Sequence, residues 1–167
     1  LWTPPPVLDA PAAARQLGLV GAPVAYDLRP EKARYAELGL KARVSRAVSV
    51  GVNVWGRLST DQLDEVEIGQ TSVTSPYNFL EGRAGGVEGT VDAVITQNLT
   101  AFGNVGVGTA QGRQIATATY LFSAEDLANG RWQTLDHAQR WQGTVGAAYR
   151  DGGTQLSTLV AFASGLR

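Results

Sequence analysis

The stretch Val48-Ser49-Val50-Gly51-Val52-Asn53-Val54-Trp55-Gly56-Arg57-Leu58 decides the fold. Successive side chains of a strand point to opposite faces. Val48, Val50, Val52, Val54 and Leu58 therefore share one face, and Ser49, Asn53, Trp55 and Arg57 share the other. A helix, with 3.6 residues per turn, would scatter the valines around its circumference. β-Branched side chains also suit the pleated surface of a sheet.

The same period runs outward in both directions. Upstream, Ala36, Leu38, Leu40, Ala42 and Val44 oppose Tyr35, Glu37, Gly39, Lys41 and Arg43. Downstream, Val87, Gly89, Val91 and Ala93 oppose Glu88, Thr90 and Asp92. A fourth segment sets Leu99, Ala101, Val105 and Val107 against Asn104 and two glycines. A fifth sets Trp141, Val145, Ala147 and Tyr149 against Gln142, Thr144 and Arg150. A sixth sets Leu156, Val160 and Phe162 against Gln155 and Ser157. Each runs about 9 to 13 residues, where ordinary strands average about 5 to 6 and a tilted crossing of a bilayer needs about 9 to 11.

The connections alternate in length. Short turns fall at Ser45-Arg46, at Thr96-Gln97-Asn98 and at Asp151-Gly152-Gly153. Long connections run from about residue 59 to 81 and from about 111 to 138. Outer-membrane barrels have short periplasmic turns and long extracellular loops, so the first strand descends toward the periplasm. The sequence thus predicts an all-β chain, an antiparallel up-and-down meander of about six long strands, as part of a transmembrane β-barrel. Residues 1–167 form a single segment, with 1–32 as an extracellular-type loop and 33–167 carrying six strands and two long loops. Trp141 and Tyr149, eight residues apart on one face, suit the two aromatic girdles of such a barrel. They also suit an ordinary apolar core.

Composition narrows the function classes. Charged residues are 17% of the chain, against about a quarter in soluble domains. A net charge of −1 gives no electrostatic case for nucleic acid. There is no cysteine, so no thiolate site or disulfide forms within the chain. The single histidine, His137, disfavours a histidine-rich zinc site or a Ser-His-Asp triad, and its expected role is structural. No catalytic residue, metal or cofactor is expected, and the chain is expected not to be an enzyme. Asp61, Asp64, Glu65 and Glu67 form an acidic cluster that matches no EF-hand spacing and reads as a solvated loop. Gly103, Gly106 and Gly108 sit within a strand, not before a helix, so they are no phosphate cradle.

Two sets of candidate functional residues remain. Glu37, Lys41, Arg57, Glu88 and Asp92, with Arg43 and Arg150, line the polar face, which in a barrel faces the lumen. Tyr77, Asn78 and Phe79 in one long connection, and Tyr120 and Phe122 in the other, are candidate cargo contacts, because loops carry function more often than scaffolds.

Several stretches resemble the TonB-dependent receptor family. They are Thr3-Pro4-Pro5-Pro6, Asp27-Leu28-Arg29-Pro30-Glu31 before the first strand and Asn78-Phe79-Leu80-Glu81-Gly82-Arg83-Ala84 before the third. Tyr120-Leu121-Phe122-Ser123 with Leu135-Asp136-His137 precedes the fifth, and Ser164-Gly165-Leu166-Arg167 follows the sixth. The resemblance covers nearly the whole chain. It implies the C-terminal part of a plugged barrel of about 22 strands in the bacterial outer membrane. Such a receptor imports siderophore-like or other scarce solutes. The plug, the TonB box and an aromatic-ended terminal strand are not in this sequence. The chain is therefore expected not to transport alone, and to have as partners outer-membrane lipid and the remainder of the receptor, plug and further strands, or other chains completing the sheet. Two alternatives stay open: a structural or assembly β-protein whose sheet other chains complete, and a soluble β-barrel binding a small ligand.

Overall fold

Two hydroxyl groups close two of the tight turns in the same way. Ser45 Oγ accepts from the backbone N–H of Ala47 and Val48, at 3.1 and 3.0 Å. Thr96 Oγ1 accepts from Asn98 and Leu99, at 3.2 and 3.1 Å. Val44 and Ile95 then donate to the carbonyls of Val48 and Leu99, at 3.0 and 2.9 Å. A serine or threonine hydroxyl that mimics a backbone turn is what lets so short a connection reverse a strand. The third tight turn is the pair Gly152-Gly153, where Gly152 takes the left-handed φ of 52° that glycine adopts without steric cost.

The computed structural model describes residues 27–68, 74–136 and 138–165. Its strands are β1 (Lys32–Arg43), β2 (Val48–Glu67), β3 (Thr74–Val94), β4 (Leu99–Ile115), β5 (Gln133–Thr134), β6 (Trp141–Asp151) and β7 (Thr154–Ala163). A 3-10 turn (Thr119–Leu121) and one short helix, α1 (Ala124–Ala128), lie between β4 and β5. The order across the sheet is β1-β2-β3-β4-β6-β7, with β5 paired only to β4. The fold is an antiparallel meander, as the alternation predicts, and the sheet is open, with β1 and β7 outermost.

The long connections differ from expectation. β2 is 20 residues long, β3 is 21 and β4 is 17. Most of the expected loop at 59–81 is strand, and much of 111–138 is strand, 3-10 turn and helix. The sequence hides this because the alternation changes phase. Exposed positions in β2 fall at Val52, Val54, Leu58 and Thr60, and then at Leu63, Glu65 and Glu67. The shift falls at Asp61, whose φ is 54°, and reads as a bulge with one extra residue.

The chain divides into two compact units. The sheet unit comprises Arg34–Leu58, Arg83–Ala110 and the described part of 137–167. Its register sets Leu99, Ala101, Val105 and Val107 directly across from Tyr149, Ala147, Gly143 and Trp141. Tyr149, Val145 and Gly143 in turn face Leu156, Val160 and Phe162. Paired residues share a face, so the apolar sets of the last three long strands merge into one surface. Thr100, Asn104 and Gln142 merge on the other with Ala148, Thr144 and Gly106. The first three strands sort the same way: a Cβ on Gly39 would lie 3.3 Å from Asn53 Oδ1, and one on Gly103 would lie 3.4 Å from Val91 Cγ1.

The packed unit comprises residues 27–33 of those described, with Ser59–Gly82 and Gln111–Asp136. Tyr77, Phe79 and Ala118 form its core, with Val66, Ile115, Tyr120, Leu121, Phe122 and Leu135 against them. Gly112 gives the Phe79 ring its seat, since any Cβ there would collide with the ring. Helix α1 starts with a capping box in which Ser123 and Asp126 bond each other's backbone N–H.

Asn78, 0% exposed, ties the packed unit together. Its Nδ2 donates to the carbonyls of Arg29 and Asp61, at 2.9 and 2.7 Å. Its Oδ1 accepts from Arg29 N and Thr117 Oγ1, at 2.9 and 3.1 Å. Its own N–H donates to Thr117 Oγ1 at 2.7 Å. Each buried polar group left without a partner costs about 1 to 3 kcal/mol. Asn78→Ala should therefore destabilise this unit by about 2 to 4 kcal/mol, read as a lowered denaturant midpoint and faster proteolysis within residues 59–82. An unchanged midpoint would remove Asn78 from this role.

Candidate functional site

The two surfaces of the sheet unit differ in chemistry. On the apolar face Leu38 is 80% exposed, and Leu40, Val52, Val54, Val107, Val145, Leu156 and Val160 are exposed as well. No described layer covers them. Trp141 and Tyr149 both belong to this face and stand eight residues apart on β6. At about 3.3 Å per residue they lie about 26 Å apart along the strand, or about 20 Å vertically at a tilt near 40°.

The opposite face carries the candidate polar residues. Lys41 Nζ on β1 meets Asp92 Oδ2 on β3 at 2.9 Å, reaching across β2. Gly51 on β2 shares this face, since a Cβ there would come within 2.6 Å of Thr90 Oγ1, and its missing side chain leaves the path open. The ion pair is solvent-exposed and contributes little to stability. Glu37 accepts from Tyr35 Oη at 2.6 Å. The Tyr35 ring stacks on Trp55 at 6.3 Å. The Trp55 indole lies across Gly86 and Gly108, within 3.1 and 3.7 Å of where their Cβ atoms would be. Glu88 borders a concavity of about 650 Å³ with Thr90, Asn104, Gln142 and Thr144. Asn104 and Thr144 brace each other there through two hydrogen bonds, at 2.6 and 3.2 Å. Arg43 and Asp92 border a smaller one of about 310 Å³. Arg57 is half-buried, and Arg150 donates to Gln155 Oε1 at 2.7 Å. The larger concavity mixes a carboxylate, hydroxyls and amides with the apolar groups of Val105, Ala161, Phe162 and Ala163.

The residues expected as cargo contacts are placed differently. Tyr77, Asn78 and Phe79 are buried within β3, not displayed on a loop. Tyr120 lies in the 3-10 turn and Phe122 just after it, both half-buried against the same core. The Tyr77 ring contacts those of Phe79 and Phe122 at 5.1 and 4.8 Å. The structure brings the five residues together, with side chains turned inward. Among the acidic residues, Asp61 pairs with Arg29 at 3.5 Å and Asp64 accepts from Tyr77 Oη at 3.3 Å, while Glu65 and Glu67 are exposed. No group of three or more potential metal ligands occurs among the described residues. His137 and the stretches 1–26 and 166–167 lie outside the described residues.

Sequence reasoning passed over two features. One is the aromatic strap of Tyr35 and Trp55, whose signal was glycine at 86 and 108 opposite a tryptophan. The other is the aromatic stack of Arg113 on Trp132, at 4.9 Å, with Arg113 held by Glu81 at 2.6 Å. No family model matches this chain, no curated protein matches it, and no solved structure matches it.

Burial pushes the Tyr77 phenol well above its ordinary range, and the negative charge of Asp64 and the hydrogen bond to it add to the shift. In the unfolded chain the phenol ionises near pH 10. The folded state holds the proton to higher pH, so this stabilisation is complete below about pH 10 and is lost as the pH rises past it. Tyr77→Phe should flatten the loss of stability between about pH 9 and 11, measured by denaturant unfolding at each pH. An equally steep loss in the variant would assign it to other groups.

Proposed function

We propose that this chain is a run of six membrane-crossing strands from the barrel of a bacterial outer-membrane nutrient receptor of the TonB-dependent kind. The carrying observation is the sheet with one uncovered, almost wholly apolar face and a second face that carries the charged, hydroxyl and amide groups beside exposed Tyr35, Phe102 and Leu159. In lipid every backbone polar group needs a partner within the protein, so spanning sheets alternate apolar-out and polar-in and close on themselves. No described helix is long and apolar enough to cross a membrane, which says nothing of strands. The resemblance of the stretches around residues 27–31, 78–84 and 120–123 to that family supports the receptor reading over a simple pore.

In this reading the tight turns at Ser45, Thr96 and Gly152 face the periplasm, and Leu40, Val52, Val105 and Val145 face lipid tails. Glu37, Lys41, Arg57, Glu88 and Asp92 wall a water-filled lumen that passes a siderophore-like or other scarce solute. The outer edges of β1 and β7 are completed by further strands of the receptor or by other chains, and a plug occupies the lumen. The chain does no chemistry and binds no cofactor; it supplies part of a wall.

Position decides the test. Val52, near the middle of the apolar band, should tolerate arginine poorly, at a cost of about 2 to 4 kcal/mol near a bilayer midplane. Asn53→Arg, one residue on and facing the lumen, should cost far less. Folding of the full protein into lipid vesicles, followed by its resistance to unfolding in urea, separates them. Equal costs would refute the lipid-facing assignment.

A further inference from the structure

The outward positions of the sheet unit are almost free of charge. Along β1 to β7 they read as alanine, leucine, valine, glycine, threonine and aromatics, and among the described residues only three are charged. Asp151 sits at the β6–β7 turn. The other two, Arg34 and Arg83, lie at the opposite end of the band.

Their placement follows from pairing. Val44 N donates to Val48 O, and counting back along β1 and β2 sets Arg34 across from Leu58. Val94 N donates to Ala47 O, and the same count along β2 and β3 sets Arg83 across from Leu58. The two arginines thus flank one leucine in a single row, about 10 Å apart at two strand spacings. Both are exposed, as is Leu58. Arg34 is in no ion pair among the described residues.

Next to this row the outward surface is hollow. Gly56 and Gly85 face each other, with a Cβ on Gly85 lying 3.9 Å from Gly56 Cα and one on Gly56 meeting nothing within 4 Å. The hollow continues as a groove of about 560 Å³ bordered by Gly85, Val105, Val107, Thr109, Trp141 and, just before β6 begins, Arg140. The Trp141 ring is backed by Phe162 at 5.8 Å. An apolar floor and aromatic wall run into a side-chain-free trough, with the guanidinium groups of Arg34 and Arg83 on its far rim and Arg140 beside the wall.

We infer that this groove holds one anionic membrane lipid, a phosphorylated headgroup between Arg34 and Arg83 and an acyl chain along Val105, Val107 and Trp141. Arginine binds phosphate through charge-assisted, bidentate hydrogen bonds. A basic residue at a membrane surface favours anionic lipid by about fivefold. The inference rests on the membrane reading given above, because a lipid is its ligand.

The test uses the intact protein in vesicles, with a fluorophore on Thr109→Cys in the groove or on Thr158→Cys, midway along β7 on the same face; the chain contributes no cysteine to compete. Quenching by brominated acyl chains is compared between a phosphomonoester lipid and a phosphocholine lipid. The expected result is at least about fivefold preference for the phosphomonoester lipid at Thr109, none at Thr158, and parity at Thr109 in an Arg34→Gln, Arg83→Gln double variant. Quenching by both lipids without preference, or a preference that survives the double substitution, overturns the lipid site and leaves the membrane reading standing. No quenching by either lipid at either position overturns both.

Discussion

Sideways backbone hydrogen bonding is the constraint on which the sheet unit depends. Neither face of that sheet is covered by a described layer, so no packed core holds the strands in register. Register comes from the ladder itself, from the turns at Ser45, Thr96 and Gly152, and from glycines that let rings lie flat. Phe162 covers Gly143 on one face and Phe102 covers Gly146 on the other. A one-residue slip would exchange the two faces and set Val52 where Asn53 belongs. Burying apolar surface contributes roughly 25 cal/mol per Å², and here that surface is still exposed. Its burial has to come from outside the described residues, and in the proposed reading lipid supplies it.

The packed unit solves the opposite problem. Its strands are irregular, with left-handed backbone at Asp61, Gln114 and Ala118. Such residues leave backbone groups that a ladder would not satisfy. Asn78 and Thr117 meet part of that need, together with Asp27 Oδ1, which accepts from Ala118 N at 3.1 Å. Aromatic rings from β3 and from the segment after β4 fill the space between. The result is a small core of its own, in which Gln62 sits over Gly82, and Gly112 receives the Phe79 ring.

Much of the fold was legible because one residue in two along Val48–Leu58 reports its face directly. The same logic placed Lys41 and Asp92 on one side, where they form an ion pair. It failed beyond Leu58 because a bulge shifts the phase at Asp61, and because Tyr77, Asn78 and Phe79 are all buried in succession, which leaves no period to read. A polar residue such as Asn78 reads as a loop contact, and only the carbonyls of Arg29 and Asp61, distant in sequence, make it an internal tie. Trp55 was visible on the polar face, yet its flat seat on Gly86 and Gly108 depends on register between three strands. Ser123 and Asp126, three residues apart, were a readable helix start that the surrounding aromatics obscured.

The central claim is that the apolar face meets lipid while the polar face meets water. Single cysteines placed in turn from Val48 to Leu58, in cells with the protein in its native membrane, address it directly. Labelling by a water-soluble maleimide should alternate, strong at Ser49, Gly51 and Asn53 and weak at Val50, Val52 and Val54. A lipid-soluble reagent should give the reverse pattern. Uniform labelling by the water-soluble reagent, or strong labelling confined to the valine positions, would contradict the claim.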